Sequence, residues 1–335
     1  MTMSPVMLVN FSTASGASAQ AILKLYDRRF GTHLRVLYGK HAPCQLEDED
    51  AFRFFLSQGK MEPFIRELEE ENKNSLIPLS ASSFYDNSPD GRARYEAALW
   101  HEANEHFNNE TQAYAQLIDL QGTSIPQVYA HIRLTSPGYN TNASDSRLQP
   151  ETETEKYLHI NGILIEVITG YNLWDLPISA AAPSDKTKWP AIIQQAVDKA
   201  YEINKRGLIL KDSGPRNVMV DQSSETPFII DLAQCYFKDR LFALWEEISL
   251  GEYERDGDDE DEDEWNPEVE YWERVRSSNN PASIGLLMTK RLLLSAELEV
   301  DINYPDYKKI INDTKRQLSD AGVAAATGTK TSIDS

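Results

Sequence analysis

One stretch of the chain, residues 212–233, constrains its fold more than any other. Asp212 is followed five positions later by Asn217, and the apolar run Phe228-Ile229-Ile230 then ends at a second aspartate, Asp231. Carboxylate and amide oxygens are the hard ligands that suit Mg²⁺, which keeps several waters and needs only one or two carboxylates. The spacing therefore predicts a loop, a short strand, a turn and a second strand, with Asn217 and Asp231 sharing a metal ion.

This layout suits phosphoryl transfer, which needs divalent metal on the phosphates and a carboxylate that orients the attacking hydroxyl. Asp212 would be that carboxylate. A cation for the phosphates lies upstream, where the strand-like run Ala21-Ile22-Leu23 leads into Lys24. The run resembles the V-A-I-K strand of kinases, and this resemblance implies that Lys24 holds the α and β phosphates of a nucleotide.

A lysine in this role needs an acid that holds it in place. Apolar residues recur at helical spacing from Arg92 to about Leu120, and this predicted helix carries Glu102, Glu105 and Glu110. The distance from the acid to the next predicted strand favours Glu110 over the other two.

The order of these motifs resembles that of the fungal protein-kinase-like family, and it is also similar to that of aminoglycoside phosphotransferases. The resemblance covers about residue 20 to about residue 295. It implies an α+β, two-lobed protein-kinase-like fold with ATP and Mg²⁺ as cofactors in the cleft between the lobes. The matching segments are Leu23 to Phe30, Glu110 to Tyr114, Leu120-Gln121-Gly122 with Ile125-Pro126, and Ile230 to Ala233.

The resemblance also assigns roles to individual residues. Asp212, Lys24 and Glu110 would be catalytic, and Asn217 and Asp231 would bind the metal. The segment Gly162 to Gly170 looks like a strand followed by the hinge that holds adenine through backbone groups. The residues expected to bind the nucleotide are Lys24, Glu166, Val167 and Ile168.

The chain also departs from the family pattern. Leu210-Lys211 stands where protein kinases have His-Arg, and no Ala-Pro-Glu triplet follows Asp231. Only 23 residues precede Lys24, so the small lobe is expected to lack the first strand and the glycine-rich loop. The implied function is an ATP-dependent phosphotransferase acting on a protein or small-molecule hydroxyl, with a catalytically impaired pseudokinase that serves as a binding scaffold as the alternative.

The resemblance implies how the chain is organised, and composition marks the segments that interrupt it. Residues 1–168 would form the N-lobe, with an acidic helical insertion at 31–91 that interrupts the family pattern. Residues 169–319 would form a mainly helical C-lobe containing an acidic loop at 252–264, which is too charged to pack and is expected to be disordered. Residues 320–335 are predicted to be a disordered tail.

Charge and cysteine content exclude several classes of partner. With 335 residues and a formal net charge of -20, the chain is a poor candidate for binding nucleic acid or an anionic membrane. It has no apolar run of about 18 residues, so no membrane span is predicted. Two cysteines make neither a disulfide framework nor a zinc pattern, which favours an intracellular location, cytoplasmic or nuclear.

His101 and His106 on the predicted helix invite a metalloprotease interpretation. Two helical histidines that share a zinc ion are four residues apart, which places both rings on one helix face. A spacing of five turns the two rings about 140° apart, so the sequence favours solvated helix residues over a zinc site.

Overall fold

A computed structural model describes residues 4–12, 16–74, 79–135, 154–243 and 266–328. The fold mixes α-helices with small antiparallel sheets, so the α+β class predicted from the sequence is confirmed at that level. The chain divides into two compact units, Met1–Ala115 with Pro126–Val167 and Gln116–Ile125 with Ile168–Ser335, called here the first and second units. The acidic loop predicted at 252–264 lies outside the described residues.

The first unit combines a four-stranded antiparallel sheet, a short strand pair and helices. Its strands are β1 Val6–Ser12, β2 Ser18–Tyr26, β3 Val36–Leu37, β4 Lys40–His41, β5 Val128–Thr135 and β6 His159–Ile165. Its helices are α1 Leu46–Ser57, α2 Met61–Asn74 and α3 Pro89–Gln116. The last residue of α3, Gln116, belongs to the second unit.

Strand β2 is an inner strand of the sheet, whose order is β1-β2-β6-β5. Lys24 lies opposite Val6 of β1 and Ile163 of β6. Side chains two residues apart point to the same face of a strand, and Lys24 and Tyr26 are both buried. The central position of β2 therefore fixes the backbone of the predicted phosphate-binding lysine from both sides.

The segment 31–91 contains α1 and α2, as its helical pattern predicts. Helix α1 begins with a capping box between Gln45 and Asp48, which satisfies backbone N–H groups at its first turn. Both helices pack against the first part of α3. The buried residues that form this core include Phe52, Phe55, Leu56, Met61, Phe64, Leu68, Ala93, Tyr95, Ala97, Ala98 and Leu99.

The second unit consists of helices and short strand pairs. Its strands are β7 Gly170–Asn172, β8 Leu208–Leu210, β9 Val218–Asp221, β10 Thr226–Ile229 and β11 Cys235–Phe237, and its helices are α4 Trp189–Lys205, α5 over 238–243, α6 Pro267–Ser278, α7 Asn280–Ala296 and α8 Tyr307–Gly328.

Helix α4 is the amphipathic helix predicted from the pattern between Trp189 and Arg206, and its apolar face is buried. Strand β8 follows it directly and pairs with β11, while β9 pairs with both β10 and β7. The approach of β7 to β9 is very close at Gly170, where a Cβ atom would lie 1.8 Å from the carbonyl oxygen of Val220. The β7–β9 pair can therefore form only with glycine at this position.

The C-terminal segment differs from the predicted disordered tail at 320–335, because α8 continues as far as Gly328. Alanine has the highest intrinsic helix propensity of any residue type. The run Ala324-Ala325-Ala326 therefore favours a helix in this segment. Residues 329–335 lie outside the described residues. Within the part of the chain that the structure describes, no helix combines the length and apolar character needed to cross a membrane.

Candidate functional site

Lys24 of β2 and Glu110 of α3 form a buried ion pair in the first unit. The Lys24 Nζ lies 2.6 Å from Glu110 Oε2, and the two side chains are 8% and 1% exposed. The other candidate acids do not take this place. Glu102 accepts a hydrogen bond from the Ala81 amide at 3.0 Å, and Glu105 is exposed. The acid favoured by the sequence spacing, Glu110, is thus the one that contacts Lys24.

Tyr26 is a third member of this cluster that the sequence analysis missed. Its hydroxyl donates a hydrogen bond to Glu110 Oε2, the same oxygen that Lys24 contacts. Its ring lies edge-on to Phe107 of α3, with centroids 5.5 Å apart. The signal that could have revealed it is the two-residue spacing from Lys24, which places both side chains on one face of β2.

A network of buried arginines and acids fixes the end of β2 on α3, about four helical turns before Glu110. The Arg35 guanidinium donates two hydrogen bonds to Glu96, with Nη1–Oε2 and Nη2–Oε1 distances of 2.9 and 2.7 Å. Arg28 donates to Glu96 and to Glu49 of α1. A carboxylate bound on both sides in this way needs no further cation. The network therefore holds β2, α1 and α3 together.

Cys44, Asp48 and Glu96 are the one group of at least three His, Cys, Asp or Glu side chains in the described residues whose ligand atoms lie close enough to hold a metal ion. Their surroundings argue against that use, because Arg35 Nη2 contacts Glu96 at 2.7 Å and Asp48 at 3.6 Å. Burial raises the pKa of the Cys44 thiol, which keeps it protonated and a poor metal ligand. This cluster is an ion-pair network.

Within the described residues, His101 and His106 do not form part of a cluster of potential metal ligands. His101 Nε2 lies 3.2 Å from Glu69 Oε1, a side chain of α2. Neither His101 nor His106 belongs to the group of potential ligands described above.

The predicted adenine-binding residues follow β6 without regular secondary structure, and all three are half-buried. The Glu166 amide donates to the Gln127 carbonyl at 2.8 Å, and the Glu166 carboxylate accepts from the Gln127 amide at 3.0 Å. This reciprocal pair commits the Glu166 N–H within the first unit. Backbone recognition of a base here would have to use the Glu166 carbonyl and the groups of Val167 and Ile168.

In the second unit, Asp212 and Asn217 face each other across the loop between β8 and β9. Asn217 Nδ2 donates to the Asp212 backbone oxygen at 2.8 Å and to its Oδ2 at 3.2 Å. With Nδ2 turned towards Asp212, Oδ1 is the Asn217 atom that can bind a metal. Asp212 is exposed, as a carboxylate that meets a substrate hydroxyl must be.

The loop that carries Asp231 lies alongside the loop that carries Asp212. Backbone hydrogen bonds join them, from the Lys211 amide to the Gln234 carbonyl and from the Ile230 amide to the Asn217 carbonyl, both at 2.9 Å. Asp231 itself has φ of 64°, a left-handed conformation that is uncommon for residues other than glycine and that aspartate and asparagine adopt more readily than most. The fold thus brings the three predicted oxygen donors to adjacent loops, and this donor set suits Mg²⁺.

A pair of buried asparagines supports the Asp212 loop, and sequence reasoning missed both. Asn280 donates to the Leu210 carbonyl at 2.7 Å and accepts from the Leu210 amide at 2.9 Å. It also accepts from Asn204 at 2.8 Å, and its backbone oxygen accepts from Ser213 at 3.0 Å. Both sides of the backbone two residues before Asp212 are therefore fixed by one amide side chain.

Comparison with known proteins adds no further assignment to this geometry. No family model and no curated protein sequence matches the chain.

Proposed function

We propose that this chain is an ATP-dependent phosphotransferase with a two-lobed, protein-kinase-like fold. It would transfer the γ-phosphoryl group to a hydroxyl of a protein or a small molecule. The observation that carries the proposal is the Lys24–Glu110 pair, with Nζ and Oε2 at 2.6 Å inside the first unit. Burying two charges is costly, and the contact with Glu110 compensates the charge of Lys24. Lys24 lies on an inner strand, where its side chain is held in place and is suited to contacting phosphate oxygens.

The adjacent loops of the second unit that carry Asp212, Asn217 and Asp231 would supply the remaining groups. Asn217 Oδ1 and the Asp231 carboxylate would hold Mg²⁺, which neutralises charge on the phosphates when it is bound. Asp212, exposed and oriented by the Asn217 amide, would orient the attacking hydroxyl and accept its proton. Glu166, Val167 and Ile168 would hold the adenine through backbone groups.

A second candidate function is a pseudokinase that binds partners without catalysis. The connection between β1 and β2 favours it, because the residues between Ser12 and Ser18 include a single glycine, Gly16. A loop that closes backbone amides on phosphates uses several glycines. Both candidates would use the same nucleotide site. They differ in whether Asp212 acts as the catalytic base.

Asp212→Asn separates the two candidates, since it removes the base while keeping its shape and leaving Asn217 and Asp231 in place. Positioned acid–base groups contribute about 10² to 10⁴ in rate. We expect the variant to lose that factor in transfer from labelled ATP while still binding Mg²⁺-ATP in a calorimetric titration. The acceptors tested are the protein itself, a general protein substrate and small-molecule alcohols.

Asp221→Asn is the matched control, because Asp221 is another aspartate of the second unit, at the end of β9, and its carboxylate accepts hydrogen bonds from Ser223 and Ser224. Its transfer rate should equal that of the wild type. Equal background transfer in the wild type and in Asp212→Asn would exclude the phosphotransferase and leave the scaffold.

A further inference from the structure

We propose that Tyr26 is a positioning residue for the phosphate-binding lysine, acting through Glu110. This inference deepens the proposed function and depends on it. The hydroxyl of Tyr26 would keep the Glu110 carboxylate in place while Lys24 turns its N–H groups towards the nucleotide phosphates.

The geometry that supports this role is the sharing of one carboxylate oxygen. Lys24 Nζ and the Tyr26 hydroxyl both donate to Glu110 Oε2. All three residues are less than 10% exposed. Lys24 and Tyr26 lie on one face of β2, and Glu110 reaches them from α3. The carboxylate thus has one charged donor and one neutral donor at the same atom.

The two donors have different consequences when an anion arrives. A lysine ammonium has three N–H donors, and those that turn towards a phosphate are no longer available to Glu110. A buried carboxylate that loses its hydrogen bonds is strongly destabilised. Tyr26 is neutral and has no reason to follow the anion, so its hydroxyl keeps the carboxylate satisfied. Binding of phosphate by Lys24 therefore costs less with Tyr26 present.

The ring of Tyr26 is held where this role requires it. Phe107 lies edge-on to the ring, with centroids 5.5 Å apart. Phe107 precedes Glu110 by three residues on α3, and residues three apart are neighbours on a helix surface. The same helix face thus places both the packing partner of the ring and the acceptor of its hydroxyl.

Tyr26→Phe tests the role because it removes only the hydroxyl oxygen. We expect Mg²⁺-ATP to bind about tenfold more weakly, as befits loss of a hydrogen bond to a charged group. Tyr95→Phe is the matched control in the same unit, since Tyr95 is 1% exposed and its hydroxyl has no hydrogen-bond partner among the residues that the structure describes. Its affinity for Mg²⁺-ATP should equal that of the wild type.

A double-mutant comparison distinguishes positioning from a general structural effect. If Tyr26 acts through Glu110, Tyr26→Phe combined with Glu110→Gln should bind Mg²⁺-ATP no more weakly than Glu110→Gln alone. In transfer assays, Tyr26→Phe should raise KM for ATP and leave kcat within about twofold. Structural damage would instead lower the active fraction, and with it kcat, at unchanged KM. An additional loss of affinity in the double variant overturns the inference.

The outcomes for the function and for this role are separate. If the wild type does not bind Mg²⁺-ATP at millimolar concentration, the proposed function is wrong and the role of Tyr26 falls with it. If the wild type binds and Tyr26→Phe binds equally well, the function stands and the role of Tyr26 is wrong.

Discussion

The two units differ in the charge of the polar side chains that they bury. Among the described residues, every buried charged side chain lies in the first unit, whereas the buried polar side chains of the second unit are neutral. The first unit holds its candidate site by ion pairs, and the second holds its candidate loop by amides. The charged set is Lys24, Asp27, Arg28, Arg35, Asp48, Glu96 and Glu110, and the neutral set of the second unit is Ser124, Asn204 and Asn280.

This difference matters because charge and amide networks fail differently. A buried ion pair adds little net stability, yet loss of one partner leaves an uncompensated charge and costs about 3–5 kcal/mol. A lost neutral hydrogen bond costs about 1–3 kcal/mol for each buried group left without a partner. The first unit should therefore be the more fragile to single substitutions at its polar core.

Glu96→Gln should give the largest effect, because Glu96 is fully buried and contacts both Arg28 and Arg35. The substitution keeps the shape of the side chain and removes the carboxylate charge that the Arg28 and Arg35 guanidinium groups both contact. We expect the free energy of unfolding of the first unit to fall by about 3–5 kcal/mol, measured by urea titration.

Glu62→Gln is the surface control for this prediction. Glu62 pairs with Lys156 at 2.9 Å, and both side chains are about half exposed, so the cost should be at most about 1 kcal/mol. Similar losses for the two variants would show that the buried network is no more demanding than a surface pair, and the contrast between the units would collapse.

Asn280→Ala should give an intermediate effect in the second unit. It removes the side-chain partner of the Leu210 amide and carbonyl, and it removes one of the two acceptors of the Asn204 side-chain amide, which keeps the Leu208 carbonyl. We expect a loss of about 2–3 kcal/mol together with slower phosphoryl transfer, since the supported backbone lies next to Asp212. Asn104→Ala, which removes one half-buried side-chain hydrogen bond at 3.2 Å, should cost much less. A loss above that of Glu96→Gln would reverse the ranking.

Lys199 should give the smallest effect, visible only as a change with pH. It is half-buried, and its Nζ donates to the carbonyls of Thr123 and Pro227 at 2.6 and 2.7 Å. Burial lowers the pKa of Lys199 to about 8, against about 10.4 in an unfolded chain. Between these values the unfolded chain binds more protons, so the contribution of Lys199 to stability rises with pH.

The measurement is the difference in unfolding free energy between the wild type and Lys199→Met at pH 7 and pH 10. We expect this difference to move in favour of the wild type by on the order of 1 kcal/mol, because partial exposure screens the charge. The exposed Lys309→Met provides the background. A flat difference would mean that the two carbonyls compensate fully for the hydration that the Lys199 ammonium loses on folding.

The sequence predicted the elements that have a strong local pattern. The apolar face of α4 follows from its periodicity, and the strand around Lys24 follows from a short apolar run. The distance to the next predicted strand favours Glu110 over Glu102 and Glu105. These features depend on spacing within short segments, which a single sequence displays directly.

The supporting contacts could not be predicted in the same way. Arg28 and Glu96 are 68 residues apart, and Asn280 and Leu210 are 70 apart. An arginine after a strand and an asparagine before a proline are ordinarily solvated, so neither residue type signals burial. These side chains acquire their supporting contacts only when elements that are distant in sequence pack together. The sequence therefore points to the candidate catalytic residues more readily than to the residues that position them.

Gly170 has a consequence for how the sequence can change over evolution. A side chain there would collide with the backbone oxygen of Val220, and a backbone obstacle cannot be removed by repacking a neighbouring side chain. Exposed positions close by, such as Thr169, carry no such restriction. Orthologues should therefore drift freely at position 169 and keep glycine at 170, even in lineages where every candidate catalytic residue has been lost.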